Sequence, residues 1–287
     1  HQFKKNEMNK ILAIVILFIS TQNLISQTAL ELNSKGIELA KKGKIDKAFS
    51  VFEEAIKLYP DAPGPYSNRG NVYRMRKEYE LAISDYSKSL ELNPDNLSVL
   101  YARANTYMDN NNFEMAVSDY SKIIEKKPSF ENIYFDRAYA NIRLEKYENA
   151  KTDLESQLEV TPKDFKSLAN LINIKKKLEL FDEALDDYQK IVTEFPNQPN
   201  LHILYNNWAS LYREIEKPKE ALEKINEALK LKKNYDIGLF NRAGIYLELG
   251  EEKDACKSFK KALKLDLENN KHFEVDEDFK KLKTLCE

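Results

Sequence analysis

The chain has 287 residues with a formal net charge of −2, from 45 Lys and Arg against 47 Asp and Glu. A surface so evenly mixed in sign is soluble and carries no overall field to gather nucleic acid or an anionic membrane. Seven glycines and nine prolines are too few for a loop-rich β fold.

The sequence opens on His1, so Met8 is the expected initiator and the residues before it a non-native extension. Lys10 precedes nine apolar residues, Ile11 to Ile19, and Ser20 to Gln27 is small and polar. A basic start, a short apolar run and a polar end are the pattern of a secretory signal peptide, the expectation for residues 1–27. Nine apolar residues fall short of the about 20 that span a bilayer, so no stable membrane span is expected. An uncleaved anchor and a buried helix are the competing readings. On the signal-peptide reading the mature protein is exported, periplasmic or extracellular in a bacterium.

From Ala29 onward one period governs the chain. Pro60, Pro94, Pro128, Pro162 and Pro196 are each 34 residues apart, and Ala48, Ala82, Ala116, Ala150 and Ala184 precede them by twelve. Ala221 and Ala255 resume the spacing after a slip of three residues. With the proline as position 32, units start at Ala29, Pro63, Leu97, Glu131, Phe165, His202 and Asp236. Positions 20, 24 and 27 fall on one helical face, as in Ala116/Tyr120/Ile123. Positions 4, 8 and 11 form another, as in Tyr66/Gly70/Tyr73. Each unit therefore reads as two amphipathic helices, A and B, with small residues at 8 and 20 for close approach. The proline lacks an N–H and cannot continue helix B.

A large residue at 4, a small one at 8, Tyr at 11, Ala at 20 and 27, an aromatic at 24 and Pro at 32 resemble the tetratricopeptide repeat family over about residues 29–269. The resemblance implies an all-α, right-handed α-solenoid of about seven helix pairs. Departures are local: Asn141 at position 11 of the fourth unit, Ile172 and Lys175 at 8 and 11 of the fifth, and Lys233 and Leu267 in place of proline.

Further patterns follow in chain order. Position 7 is arginine and position 23 aspartate in units two to four: Arg69/Asp85, Arg103/Asp119 and Arg137/Asp153. A partly buried arginine needs a carboxylate, so these are expected to be structural ion pairs between helices A and B rather than sites for an acidic ligand. Lys175, Lys176 and Lys177 read as a solvated helix face, and Trp208 as core. Asn197 to Leu201 holds the three-residue slip and is a candidate boundary. After a linker at Asn270–Glu274, residues 270–287 are expected to cap the array. Val275, Phe279, Leu282 and Cys286 share the docking face of that helix. If the chain is exported, a Cys256–Cys286 disulfide is expected; otherwise both are small buried thiols.

No motif for catalysis, metal binding or phosphate binding occurs, so neither enzyme activity nor a cofactor is expected. His1, His202 and His272 are too scattered for a metal site. The family resemblance places positions 2, 5, 9, 12 and 13 of the A helices along a groove that holds a peptide or partner helix. Here these include Asn33, Asn71, Arg74, Tyr101, Asn105, Phe135, Tyr139, Asn173, Lys176, Asn206, Arg213 and Phe240. Asparagine at 9 suits hydrogen bonds to a peptide backbone, and Tyr101, Phe135 and Tyr139 an apolar anchor. The expected function is a non-catalytic scaffold for a protein or peptide partner. The alternative is an assembly protein acting through its ends or edges, with the groove empty and solvated.

Overall fold

The computed structural model describes residues 28–130, 132–265 and 277–286. The leader-like segment 1–27, Glu131, the linker and Val275 lie outside them. Every regular element among the described residues is an α-helix. In order these are α1 (28–41), α2 (Ile45–Leu58), α3 (Pro63–Met75), α4 (Tyr79–Leu92), α5 (Leu97–Asp109), α6 (Phe113–Lys126), α7 (Ile133–Arg143), α8 (Tyr147–Val160), α9 (Phe165–Lys177), α10 (Phe181–Glu194), α11 (Leu201–Glu214), α12 (Pro218–Leu231), α13 (Asp236–Glu248), α14 (Glu252–Leu265) and α15 (Glu277–Cys286). Odd-numbered helices up to α13 are A helices, and their even-numbered partners are B helices. The chain divides into two compact units, His1–Asp153 and Leu154–Glu287. The division falls inside α8, not at the Asn197–Leu201 insertion, where Asn200 takes a left-handed conformation (φ 65°) before α11.

Within each unit the stack is built as the period dictates. From α2 to α7, and from α9 to α14, each helix packs on the next, and α3 meets α5 as α11 meets α13. Positions 20, 24 and 27 are buried throughout, including Tyr86, Tyr120 and Tyr188, none more than 1% exposed. Small residues at position 8 admit the large ring at 24. A Cβ on Gly36 would come within 2.3 Å of the Phe52 ring, and one on Gly70 within 3.0 Å of Tyr86.

The A-to-B turn is made the same way seven times. Position 15 has positive φ at Gly43, Lys77, Asn111, Glu145, Glu179, Glu216 and Gly250. The next N–H reaches back to the carbonyl of position 11, as Lys44 does to Leu39 and Glu78 to Tyr73, closing a Schellman turn. The B helices end at position 30 whether or not proline follows. α12 stops at Leu231, with Lys233 two residues on, as α4 stops at Leu92 before Pro94. Proline is thus compatible with that end but not needed for it.

In the second unit α15 packs on α13 and α14. Phe279, Leu282 and Cys286 face inward, and the Phe279 ring meets Phe259 edge-on at 5.6 Å. Cys256 and Cys286 form a disulfide that closes 30 residues of chain, so α15 is covalently tied to α14.

Replacing both cysteines with Ala should lower stability by about 3–4 kcal/mol on the chain-entropy relation, read as a shifted denaturation midpoint. Gly250→Ala should cost about 1 kcal/mol from backbone strain alone. Gly250 has φ +76° and nothing lies within 4 Å of the added Cβ. Chemical denaturation of the variant measures it.

Candidate functional site

The polar groups that face inward must be separated from those left for a partner. Arg69 donates to both carboxylate oxygens of Asp85, through Nε at 2.8 Å and Nη2 at 2.9 Å. Arg103 holds Asp119 in the same fork at 2.7 and 2.9 Å. Arg137 holds Asp153, with Nε 3.1 Å from each carboxylate oxygen. The carboxylates of these aspartates are all buried, that of Asp119 completely. The third arginine nitrogen reaches back to helix B of the preceding repeat: Arg103 Nη1 donates to Ser87 and Arg137 Nη1 to Ser121. Burial works against the Arg103 charge, but the hydrogen bonds and charge of Asp119 more than offset it and raise its pKa. These arginines are consumed by the fold.

The atypical repeats meet the same need with other residues. Asn141 adds a 3.0 Å hydrogen bond to Asp153. Lys175, expected on a solvated face, is 8% exposed and bonds Asp187 at 2.6 Å. It replaces, one helical turn later, the arginine that the fifth repeat lacks. In the sixth, Lys224 at position 23 sits 4.0 Å from the centroid of Trp208 at position 7. Trp208 is buried and stacks on Tyr188, Tyr205 and Tyr212. In the seventh, Arg242 donates to Ser258 and Asn226.

On the A helices of the first unit, Asn71 and Asn105 accept hydrogen bonds from the buried hydroxyls of Tyr86 and Tyr120, both at 2.6 Å. Burial pushes the Tyr86 pKa up to about 12, so it stays a donor at any physiological pH. With Oδ1 fixed, the amide Nδ2 of each asparagine is what remains to offer. Tyr139 occupies the same position one repeat on and is 48% exposed, while Phe135 is half-buried. Tyr101 donates to Asp136 at 2.7 Å and its ring packs on Phe130 and Tyr120. Arg74 is paired with Asp109 at 2.7 Å.

In the second unit Asn173 is exposed, and Lys176 lies 3.9 Å from Glu214. Asn206 corrects the sequence expectation. It is 5% exposed and accepts from Asn241 at 2.8 Å, so it joins α11 to α13 instead of lining a groove. Phe240 is likewise buried at 4%, inside the core cluster of this unit. Arg213 pairs with Glu248 and, at 2.6 Å, with Asp278 of α15, so the cap reaches the A-helix face there.

Sequence reasoning missed a second ladder. Asn33–Asn68, Tyr101–Asp136 and Asn206–Asn241 join position 5 of one A helix to position 6 of the next. Arg74–Asp109 and Arg213–Glu248 join 12 to 13. Their common signal is a spacing of 35, one more than the repeat, between complementary polar residues. Among the described residues no group of three or more His, Cys, Asp or Glu could hold a metal ion. No helix among them is long and apolar enough to cross a membrane.

Stacked two-helix repeats define a helical repeat protein, an architecture typical of protein–protein interaction scaffolds. The sequence matches the tetratricopeptide repeat family over residues 29–62, 65–96, 101–159 and 238–269, and the chain belongs to that family. Tetratricopeptide repeat protein 36 of Caenorhabditis elegans is 32% identical over 56 residues, spanning 20% of this chain and 31% of that protein. Among solved structures, the C-terminal part of a repeat protein from Cytophaga hutchinsonii matches with a TM-score of 0.70 at 18% identity, over 84% of this chain and 98% of that one. One from Parabacteroides merdae matches with 0.56 at 24%, over 91% and 99%. YrrB, described as having an unusual peptide-binding site, matches with 0.54 at 21%, over 66% and 95%.

Asp119→Ala should destabilise the first unit by about 3 kcal/mol, because it strands the Arg103 charge. Changing both partners to apolar residues, Arg103→Met with Asp119→Leu, should recover most of that loss. Urea denaturation of the single and double variants tests both.

Proposed function

We propose that this protein is a non-catalytic scaffold that holds an extended peptide or a partner helix along the A helices of its first unit. The observation that carries the reading is the row at position 9. Asn71, Asn105 and Tyr139 recur 34 residues apart, and both asparagines are already oriented by buried tyrosine hydroxyls. A donor fixed before the ligand arrives loses little entropy on binding. The two Nδ2 groups suit successive peptide carbonyls, and Tyr139 with Phe135 suits an apolar side chain. Arg74 is neutralised by Asp109, so recognition here rests on hydrogen bonding and shape more than on charge.

Export from a bacterial cell is part of the proposal. A Cys256–Cys286 bond suits an oxidising compartment, and the apolar run Ile11–Ile19 suits a secretory leader. The assembly reading draws on the start of the first unit, where Leu30 and Leu58 are 62% and 55% exposed beside an open cleft at Pro60, Pro63 and Pro65.

Peptides selected against the full chain from a random display library supply the test. Asn105→Ala with Tyr139→Ala should weaken them at least tenfold, about 1.4 kcal/mol, with the circular dichroism spectrum unchanged. Unaltered affinities in the folded double variant would transfer the argument to the assembly reading.

A further inference from the structure

Arg242 stands at position 7 of the seventh unit, where Arg69, Arg103 and Arg137 of earlier units each fork onto the aspartate at position 23. In those three units Nη2 is a nitrogen that reaches the carboxylate. In the seventh unit position 23 is Ser258, a buried residue with no charge to offer. Arg242 Nε donates to Ser258 at 3.2 Å and Nη1 to Asn226 at 3.3 Å, while Nη2 has no acceptor among the described residues. A guanidinium carries five N–H donors, so two on Nη2 and one on Nη1 are left over. A partly buried arginine without a carboxylate is an incomplete pair.

The unused edge is open. The buried side-chain polar atoms that lack a partner belong to Ser89, Asn141 and Trp208, so solvent reaches Nη2 of Arg242. Arg242 lines an open cleft of about 640 Å³ with Asn226 and Lys230 of α12 and with Lys233 beyond its end. That volume lies within the roughly 300–1,000 Å³ usual for ligand sites. Asn226 turns its Oδ1 to Arg242, which leaves its Nδ2 as a second donor without an acceptor. Charge decides what the donors suit. Glu227 on the lining is paired with Lys230 at 2.5 Å. Among the described residues Arg242 and Lys233 have no carboxylate partner, against the single unpaired carboxylate of Glu223. The balance favours an anion, and a planar guanidinium edge matches a carboxylate.

We propose that this cleft binds a carboxylate, carried by an acidic side chain of a partner or by a free organic acid, between Arg242 Nη2 and Asn226 Nδ2. The ligand supplies from outside the charge that Asp85, Asp119 and Asp153 supply from within their own repeats. Lys233, exposed where most repeats have proline, adds attraction at the rim. The site belongs to the second unit and does not depend on peptide binding along the A-helix row of the first.

The experiment titrates the full chain at low salt with N-acetylaspartate methylamide, its asparagine isostere, succinate and inorganic phosphate by ligand-observed NMR. The aspartate derivative should bind saturably and about tenfold tighter than the asparagine isostere, the scale of one charge-assisted hydrogen bond. Affinity for the aspartate derivative equal to or above that for succinate assigns the site to a partner's side chain; tighter succinate assigns it to a free acid. Ser258→Asp restores the internal carboxylate, and should weaken both carboxylates about tenfold while leaving the melting temperature equal or higher. Arg242→Met should weaken them as much, with the circular dichroism spectrum unchanged; should that variant not fold, Ser258→Asp decides alone. No saturable binding of either carboxylate, equal binding of the asparagine isostere, tighter binding of phosphate than of both carboxylates, or affinity unchanged by Ser258→Asp would overturn the assignment.

Discussion

A carboxylate buried on helix B has to be met by a cation, and much of this structure follows from where that cation comes from. Asp85, Asp119 and Asp153 lie between helices, where an uncompensated charge is far more costly than in water. The arginine of the same repeat supplies a two-pronged fork, and in Arg103 and Arg137 the remaining nitrogen reaches a serine on the preceding B helix. One guanidinium thereby ties three helices together. Apolar packing of Ala, Tyr and Ile at positions 20, 24 and 27 drives the stack but is non-directional. The fork has a geometry, and it penalises a helix that slides by a turn. Such pairs add little net stability compared with apolar residues of similar volume; their contribution here is register.

The same constraint explains the repeats that depart from the pattern. Where the fifth repeat has no arginine at position 7, Lys175 one turn further along meets Asp187. Where the sixth has Trp208 at 7, position 23 is Lys224, and a cation over an aromatic ring replaces the ion pair. Only the chemistry at that contact changes, while the A-to-B turn and the helix ends stay in place. Of the three consecutive lysines only Lys175 leaves the solvated face, while Lys177 is exposed. What decides the fate of Lys175 is Asp187, twelve residues away on the other helix, and not its neighbours along the chain.

The repeat, the helix pairs and the buried faces were legible because they depend on residue type at a fixed period. Asn206 shares position 5 with Tyr101 and Phe135, groove candidates that are only partly buried, yet it is itself buried and bonded to Asn241. In this chain position 5 is Asn, Ser, Tyr, Phe or Ala at different repeats, and Asn33, Tyr101 and Asn206 bond to the next A helix through what position 6 there supplies. A contact between unlike positions 35 apart leaves no mark in a search at 34. The A-to-B turns were only partly visible for a related reason. Glycine marks two of them, and Lys77, Asn111, Glu145, Glu179 and Glu216 adopt the same left-handed conformation without the residue that usually announces it.

What a partner can use is the remainder after these internal demands are met. On the first unit Arg74 is paired with Asp109, and Asp136 accepts from Tyr101. The asparagine oxygens are held by buried hydroxyls that remain protonated at neutral pH. What is left is a small set of oriented amide donors beside exposed aromatic surface. Such a surface gains its selectivity from where donors and rings stand relative to a backbone, and only weakly from long-range attraction. Long-range attraction would be feeble in any case for a chain whose positive and negative charges nearly balance.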